Sequence, residues 1–232
     1  MKIELKKKPK NVIIIEGFPG FGLVGTISTE FLIDHLGAKQ IGSIWLEDLA
    51  PLLMVHDGKA IDPLGIFYDK KHNIVILHAM TNIKGLEWKL ASSLDEICRQ
   101  LKAKEVISIE GVGSMTAGGN GGAFYYSDNK KWEKIGVELL KEGIVIGVTA
   151  ALMVKLKCAP LSCVFAETST GLPDSRAAAK IIEVLDKYLN LKVDYKPLLK
   201  KAAEFENKVK GLMDKSKEAT NIKEKKELSY LG

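Results

Sequence analysis

The chain has 232 residues, of which 46% are hydrophobic and 27% charged, a composition typical of a folded protein with a substantial core. No stretch approaches the roughly 18 apolar residues of a membrane helix, and the lysine-rich residues 1–10 lack the apolar core of a signal peptide, so we expect a cytoplasmic protein. The formal net charge is +5, but the only arginines are Arg99 and Arg176, which argues against nucleic acid as a partner.

A glycine-rich turn joins the first predicted strand to the first predicted helix. Residues 11–16 form a continuous apolar run, typical of a strand buried on both faces, and residues 23–36 carry apolar side chains at helical spacing. The ten residues from Glu16 to Gly25 read Glu-Gly-Phe-Pro-Gly-Phe-Gly-Leu-Val-Gly. Turns of this kind often hold phosphate in α/β proteins, because glycine lets the backbone direct N–H groups toward an anion.

Two interpretations of this turn remain open. The spacing Gly20-x-Gly22-x-x-Gly25 matches the dinucleotide-binding pattern, and Glu47 and Asp48 follow the second predicted strand, where that pattern places a ribose-binding acid. The turn has no lysine for a phosphate, however, and no hydroxyl in register for a magnesium ion. The simpler interpretation is a tight strand-to-helix turn whose apolar side chains pack into the core or an interface.

The middle of the chain alternates between strand and helix patterns. Further strands are predicted at residues 40–45, 74–78, 106–109, 143–148 and 161–167, and further helices at residues 86–101 and 174–189. Asp174 is the expected N-cap of the last of these helices. Residues 51–68 contain Asp57-Gly58 and Asp62-Pro63 and predict a hairpin-like excursion. Strand, crossover and strand throughout predict an α/β fold with a mostly parallel sheet and helices on both faces.

A second glycine-rich segment, residues 111–122, follows the strand predicted to end at Ile109. Functional loops of α/β proteins lie at this end of a strand, and Glu110, Ser114 and Thr116 would supply polar groups there. Together with the turn at residues 17–25, this loop would form the cleft of a small-molecule or nucleotide-binding enzyme. The other interpretation is a mobile crossover or an interface loop.

The cysteines and histidines do not indicate a catalytic or metal site. Cys98, Cys158 and Cys163 are an odd set without a Cys-x-x-Cys pair, so we predict reduced core residues. The histidines are His35, His56, His72 and His78. None lies at a helical metal-ligand spacing from another histidine or cysteine, and we interpret them as core or surface residues. The sequence therefore predicts no metal, no cofactor and no catalytic residue.

The pattern changes after residue 194. An apolar stripe at alternating spacings of 4 and 3 residues predicts a helix over residues 195–213 that packs on the body or pairs with a second copy. The stripe consists of Leu198, Ala202, Phe205, Val209 and Leu212. Residues 214–227 are almost wholly polar and cannot fold alone. Leu228, Tyr230 and Leu231 then give the polar tail, residues 214–232, an apolar tip typical of a docking peptide. The expected organisation is a body of residues 1–194, this helix and this tail.

Two of these segments and the C-terminal helix carry a resemblance to a known family. Residues 16–25, the segment Glu-Thr-Ser-Thr-Gly-Leu-Pro-Asp-Ser-Arg-Ala-Ala at residues 167–178 and the helix over residues 198–213 resemble the archaeal branch of the proteasome assembly chaperone 2 family. The similarity extends over residues 10–213, and the two motifs in this order are moderately specific. The resemblance implies a three-layer α/β/α fold similar to phosphorylase/hydrolase-like proteins, no established catalytic activity and assembly into homo-oligomers.

The resemblance also implies a partner and a way of binding it. Members of this family bind the α-subunits of the 20S proteasome, and some archaeal members are ATP-independent activators whose flexible C-terminal arms end in a hydrophobic-Tyr-X motif. Tyr230 lies third from the end here, one residue earlier than that motif places its tyrosine. The glycine-rich turn is implied to be structural, and its family-motif residues are Gly17, Pro19, Gly20, Gly22 and Gly25.

Overall fold

A computed structural model describes residues 1–49, 53–56, 59–113, 121–168 and 171–200, together with residues 204, 207, 210, 211, 214 and 215. The strands are β1 (Lys2–Leu5), β2 (Ile13–Gly17), β3 (Lys39–Trp45), β4 (Met54–His56), β5 (Lys59–Ile61), β6 (Leu64–Asp69), β7 (Ile74–Ala79), β8 (Glu105–Gly113), β9 (Ala123–Tyr126), β10 (Glu138–Leu139) and β11 (Leu161–Thr168). The α-helices are α1 (Val24–Leu36), α2 (Glu87–Leu101), α3 (Gly147–Lys155), α4 (Ser175–Leu189) and α5 (Lys196–Lys200), and short 3-10 helices cover Phe21–Leu23 and Trp132–Ile135.

Nine of these strands form one mixed sheet in the order β1-β3-β6-β7-β2-β8-β11-β9-β10. The four central strands, β7, β2, β8 and β11, are parallel. On one side β6, β3 and β1 are added antiparallel, and on the other side β9 runs antiparallel to β11. The predicted α/β class is confirmed, but the expectation of a mostly parallel sheet is imprecise because it holds only for the centre. The predicted excursion at residues 51–68 contains the separate hairpin of β4 and β5.

Helices cover both faces of this sheet and create two cores. Successive residues of a strand point to opposite faces, so Ile15 packs with α1 and α4 on one face, whereas Ile14 packs with α2 and α3 on the other. Each such aliphatic side chain stabilises the fold by about 1.5–3 kcal/mol when fully buried. The layers are therefore helix, sheet and helix. No helix within the described ranges is long and apolar enough to cross a membrane.

One predicted strand is wrong. Residues 143–146 lie in no strand, and helix α3 begins at Gly147 and packs against α2. A short apolar run is compatible with either a buried strand or a buried helix, and the local pattern cannot separate them. Strands β1, β9 and β10 were not predicted, because they are only four, four and two residues long and β1 lies in the charged N-terminal segment.

The prediction for the cysteines is wrong for two of the three. Cys98, near the end of α2, and Cys158, after α3, form a disulfide with their Cα atoms 6.1 Å apart. Their separation of 60 residues hides this proximity, which arises only because α2 and α3 are neighbours on one face of the sheet. Cys163 is a buried free cysteine, as predicted.

The C-terminal region is described only in part. Asp174 caps α4 as predicted, since its side chain accepts hydrogen bonds from the backbone N–H groups of Arg176 and Ala177, both at 3.0 Å. Leu198 in α5 is 1% exposed and packs into the same core as α1 and α4. The remaining stripe and tail residues lie outside the described residues: Ala202, Phe205, Val209, Leu212, Leu228, Tyr230 and Leu231.

Candidate functional site

The glycine-rich turn lies at the carboxyl end of β2 and holds α1 close to the sheet. A β-carbon on Gly17 would lie 2.3 Å from the carbonyl oxygen of Gly25, and one on Gly25 would lie 2.8 Å from the carbonyl oxygen of Ile109 in β8. Gly22 and Leu23 have φ angles of +64° and +50° and reverse the chain into the helix. Side chains at the two contact glycines would push the helix away from β2 and β8, so the geometry of the turn is that of close packing.

Backbone donors of this turn are used by the protein's own carboxyl groups. The N–H of Phe18 donates to Glu16 Oε1 at 2.9 Å, and the N–H of Phe21 donates to Glu110 Oε1 at 3.2 Å. Gly111 N–H donates to the same Glu110 oxygen at 3.1 Å. A phosphate bound in this turn would compete with Glu110 for these donors and meet its carboxyl group. The phosphate-binding interpretation of the turn is therefore disfavoured, because an internal side chain already accepts from these donors.

The acids predicted to bind a ribose are not beside the turn. Glu47 and Asp48 follow β3, and strands β6 and β7 separate β3 from β2. Three strand spacings amount to about 14 Å. Asp48 instead forms an ion pair with Lys89 at 2.7 Å. The arrangement differs from a dinucleotide site, in which the acid follows the strand adjacent to the glycine turn.

A chain of hydrogen bonds joins Glu16 to Glu110 beneath the turn. Ser108 Oγ donates to Glu16 Oε2 at 2.5 Å and lies 2.9 Å from Thr149 Oγ1, which lies 3.4 Å from Glu110 Oε2. Strands β2 and β8 supply the carboxyls and the serine, and α3 supplies the threonine. All four side chains are buried. The relay, as we call these four residues, is thus a polar cluster enclosed between the sheet and α3.

Both carboxyls of the relay hold protons more strongly than an exposed glutamate. Burial raises the pKa of Glu16 to about 7, against the lowering effect of its hydrogen bonds from Ser108 and Phe18. Burial, and next the charge of Glu16, raise the pKa of Glu110 to about 8. A low-dielectric surrounding disfavours a carboxylate, and a second one nearby disfavours it further. At neutral pH the pair is therefore only partly ionised.

A count of the protons needed for the hydrogen bonds of the relay also indicates that one of its two carboxyls is protonated. Three links connect the four side chains, and each link requires one proton between its two oxygens. The hydroxyls of Ser108 and Thr149 supply two protons, so a third must come from one of the two carboxyls. With that proton on Glu110, Ser108 donates to Glu16, Thr149 donates to Ser108, and Glu110 donates to Thr149, so every link is satisfied and the relay carries one negative charge.

The histidines lie outside this cluster. His78, in β7, is buried, with Nδ1 2.8 Å from Thr29 Oγ1 and Nε2 3.0 Å from Glu30 Oε2. His72 contacts Asp69 at 2.5 Å in a surface turn, and His35 stacks on Phe31. The His56 side chain, Ser114 and Thr116 lie outside the described residues. The described residues contain no group of three or more histidine, cysteine or acidic side chains arranged to hold a metal ion.

The two motifs that carry the family resemblance meet at this end of the sheet. Gly22 in the first motif accepts a hydrogen bond at its carbonyl oxygen from the N–H of Asp174 in the second, at 2.9 Å. The side chain of Thr168 covers Gly22, where a β-carbon would lie 2.9 Å from its methyl group. Residues about 150 positions apart in sequence therefore hold the turns of the two motifs against each other.

Exposed apolar side chains surround the same end of the sheet. Phe21 is 38% exposed and Leu172 is 61% exposed, and the two lie on the facing turns of the two motifs. Ile144 and Ile146 are 89% and 68% exposed and precede Gly147, which lies against Glu110. We call these four residues the apolar rim. A cluster of exposed apolar side chains is typical of a protein interaction surface.

Sequence reasoning identified Glu16 and Glu110 as strand-end acids but missed Ser108 and Thr149. Ser108 lies two residues before Glu110 in β8, and residues two apart in a strand share a face. The strand pattern could therefore have predicted that Ser108 lies on the same face as Glu110. The position of Thr149 could not be predicted, because residues 143–148 were predicted as a strand. For the same reason the exposure of Ile144 and Ile146 was not predicted, whereas Phe21 was expected to pack in the core or an interface.

The chain is similar to known proteins over almost its entire length. The family model described as the PAC2 family matches residues 14–213. Protein MJ0106 of Methanocaldococcus jannaschii is 29% identical over 210 residues, which cover 88% of this chain and 87% of that protein.

Two solved structures from Pyrococcus furiosus are also similar. PbaA, described as an archaeal homolog of proteasome-assembly chaperone, is 29% identical with a TM-score of 0.83, covering 94% of this chain and 99% of the other. PbaB, described as an archaeal proteasome activator, shares the fold with a TM-score of 0.74 at 20% identity, covering 91% and 98%.

Proposed function

Because the chain belongs to the PAC2 family, we propose that it is a non-enzymatic chaperone or ATP-independent activator that binds the α-ring of the 20S proteasome. The observation that carries the proposal is the similarity to PbaA, a homolog of a proteasome-assembly chaperone, over nearly the full length of both chains. A cytoplasmic location is part of this proposal.

The body contributes a contact surface in this proposal. The apolar rim lies beside the turns of the two family motifs, and its side chains are exposed in the single chain. Removing an exposed aliphatic or aromatic side chain from water on binding contributes hydrophobic free energy to an interface. We assign the rim to contact with the proteasome subunit and regard the glycine turn beneath it as its structural support.

The C-terminal tail contributes the second contact. Residues 214–232 would reach at most about 60 Å when extended, far enough to search for a pocket from a docked body. Leu228, Tyr230 and Leu231 are the proposed tip residues that enter pockets between α-subunits. A single short tail binds weakly, whereas several tails on one homo-oligomer bind with avidity. The helix over residues 195–213 is the proposed self-association element, apart from Leu198, which is buried in its own chain.

The competing interpretation, a nucleotide-binding enzyme built on residues 17–25 and 111–122, receives less support. The donors of the turn at Phe18 and Phe21 are bonded to Glu16 and Glu110, and the predicted ribose acids lie three strands away. A thermal-shift screen against nucleotides, nucleosides and phosphate tests it directly. A flat response is expected, and a shift of several degrees with one compound would favour the enzyme.

Retention on immobilised 20S proteasomes tests the proposal. We expect the wild-type chain to be retained, and deletion of residues 228–232 or the substitution Tyr230→Ala to release it. Ser229→Ala is the matched control for the tail and should leave retention unchanged. Retention or peptidase stimulation that survives the deletion would exclude the tail mechanism.

The contribution of the body is tested separately. The double variant Ile144→Ser, Ile146→Ser should weaken retention without changing the melting temperature, because both side chains are exposed. Val154→Ser, at another exposed aliphatic position, is the control. If the Ile144 and Ile146 variant binds as the wild type does, the apolar rim has no part in the contact.

A further inference from the structure

The end of the sheet opposite to the glycine turn is a concentrated basic surface. Nine exposed lysines come from four separate connections at the edge of the sheet where β2, β3, β7 and β8 begin: Lys6, Lys7, Lys8, Lys10, Lys39, Lys70, Lys71, Lys102 and Lys104. We call them the lysine surface. Residues 1–191 contain 23 basic and 22 acidic residues, so their net charge of about +1 does not indicate that lysines are concentrated on one surface.

The topology explains why these lysines meet. Lys6 N–H donates to the carbonyl oxygen of Ile41 at 2.7 Å, which fixes residues 6–8 beside the start of β3. Lys104 N–H donates to the carbonyl oxygen of Val12 at 2.8 Å, which fixes the start of β8 beside that of β2. The turn carrying Lys70 and Lys71 joins β6 to β7 between them. Five adjacent strands, β3-β6-β7-β2-β8, span about 19 Å at the usual spacing.

The acids beside this surface have partners of their own; Asp62, for example, accepts a hydrogen bond from Gln40 at 2.7 Å. Asp69 is buried and contacts His72, and Glu105 is buried and accepts hydrogen bonds from Tyr188 at 2.8 Å and Ser162 at 2.5 Å. Glu4, two residues before Lys6, pairs with Lys2 at 2.7 Å. In the part of the chain that the structure describes, none of the nine lysines forms an ion pair. Like charges on one surface repel one another, and an anionic partner would relieve this repulsion.

The residue types of the lysine surface favour an acidic protein over nucleic acid or a membrane as its partner. None of the nine residues is arginine, the residue best suited to bidentate phosphate recognition, and Arg99 in the last turn of α2 is paired with Asp95 at 2.7 Å. Of the exposed aromatic residues, Trp45 and Trp88 lie at the other ends of β3 and α2, and Tyr126 lies in β9, two strands beyond β8. A membrane-binding surface would also carry exposed apolar side chains among its lysines. We therefore propose that the lysine surface is the docking face for a carboxylate-rich surface of a partner protein. This proposal goes beyond the proteasome contact through the rim and tail and does not depend on it.

Binding of fluorescent poly-L-glutamate of about 20 residues, measured by anisotropy at about 150 mM salt, tests the proposal. The triple variant Lys7→Gln, Lys71→Gln, Lys104→Gln removes three charges from the lysine surface. The control Lys84→Gln, Lys141→Gln, Arg176→Gln removes three charges from exposed positions elsewhere. We expect the first variant to weaken binding by about tenfold and the control by less than about twofold, because local charge density governs the attraction. Circular dichroism should show the same fold for all three proteins.

Two results would overturn the proposal. Equal weakening by both triple variants would show that binding follows net charge and not this surface. Tighter binding of a DNA duplex than of poly-L-glutamate at the same salt concentration, lost in the first variant, would assign the surface to nucleic acid.

Discussion

The Oε1 atom of Glu110 lies 1.9 Å from the position that a β-carbon on Gly20 would occupy. The glycine is therefore required by a side chain that is 90 residues away in sequence and that holds the turn through the N–H of Phe21. Displacing the carboxyl would break this hydrogen bond and the one from Gly111. The turn and the buried acid are thus a single unit.

A double-mutant cycle tests this relationship. We expect Gly20→Ala to lower the free energy of unfolding by about 1–3 kcal/mol, because it forces Glu110 away from its donors. In a Glu110→Ala background the same substitution should cost much less, because the added methyl group then has space. The measurement is chemical denaturation of all four proteins. Additive effects of the two substitutions would show that the residues do not act together.

Stability should fall as pH rises from about 5 to 8. The pKa values of Glu16 and Glu110 are raised to about 7 and about 8, so the folded protein retains protons that the unfolded chain has released. Their contribution is complete below the unfolded value of 4.5 and is lost as pH rises through the folded values. Glu110→Gln should reduce this loss by on the order of 3 kcal/mol.

Unfolding free energies measured at several pH values provide the check. Glu138→Gln, at an exposed position on the sheet edge, is the control and should retain the wild-type pH dependence. A Glu110→Gln protein with the same slope as the wild type would show that Glu110 is already ionised in the fold at neutral pH.

The hydroxyl of Thr149 should matter more than its methyl group. Thr149→Val keeps the shape but removes the central link between Ser108 and Glu110, and it leaves buried polar atoms without that partner. We expect a loss of about 1–3 kcal/mol in the free energy of unfolding. Thr149→Ser keeps the hydroxyl and should cost less. The opposite ranking of the two variants would indicate that packing, and not the relay, is what Thr149 supplies.

The disulfide should make stability dependent on reducing agent. Cross-linking two cysteines 60 residues apart restricts the unfolded chain and stabilises the fold by about 4 kcal/mol in the chain-entropy model. We expect reductant to lower the melting temperature of the wild type and to have no effect on Cys98→Ser, Cys158→Ser. Cys163→Ala, in which the disulfide is intact, should respond as the wild type does. An unchanged wild-type melting temperature under full reduction would contradict this expectation.

Local pattern predicted the central strands well because each is buried on both faces. The runs at residues 74–78, 106–109 and 161–167 lie within β7, β8 and β11, and the run at residues 11–16 overlaps β2, because parallel strands buried on both faces are mostly apolar. The edges of the sheet were predicted poorly. Strands at an edge pair on one side only, so short or charged segments such as β1 and β10 suffice there.

The sequence by itself determined the α/β class, the central strands, the capped helix α4 and the family, because these depend on periodicity and on contiguous motifs. Tertiary structure alone decided which distant residues meet. The disulfide, the relay from Glu16 to Glu110 and the contact between Gly22 and Thr168 each join different elements. The lysine surface is the clearest case, because its charges are spread over about 100 residues and become neighbours only where parallel strands begin at one edge of the sheet.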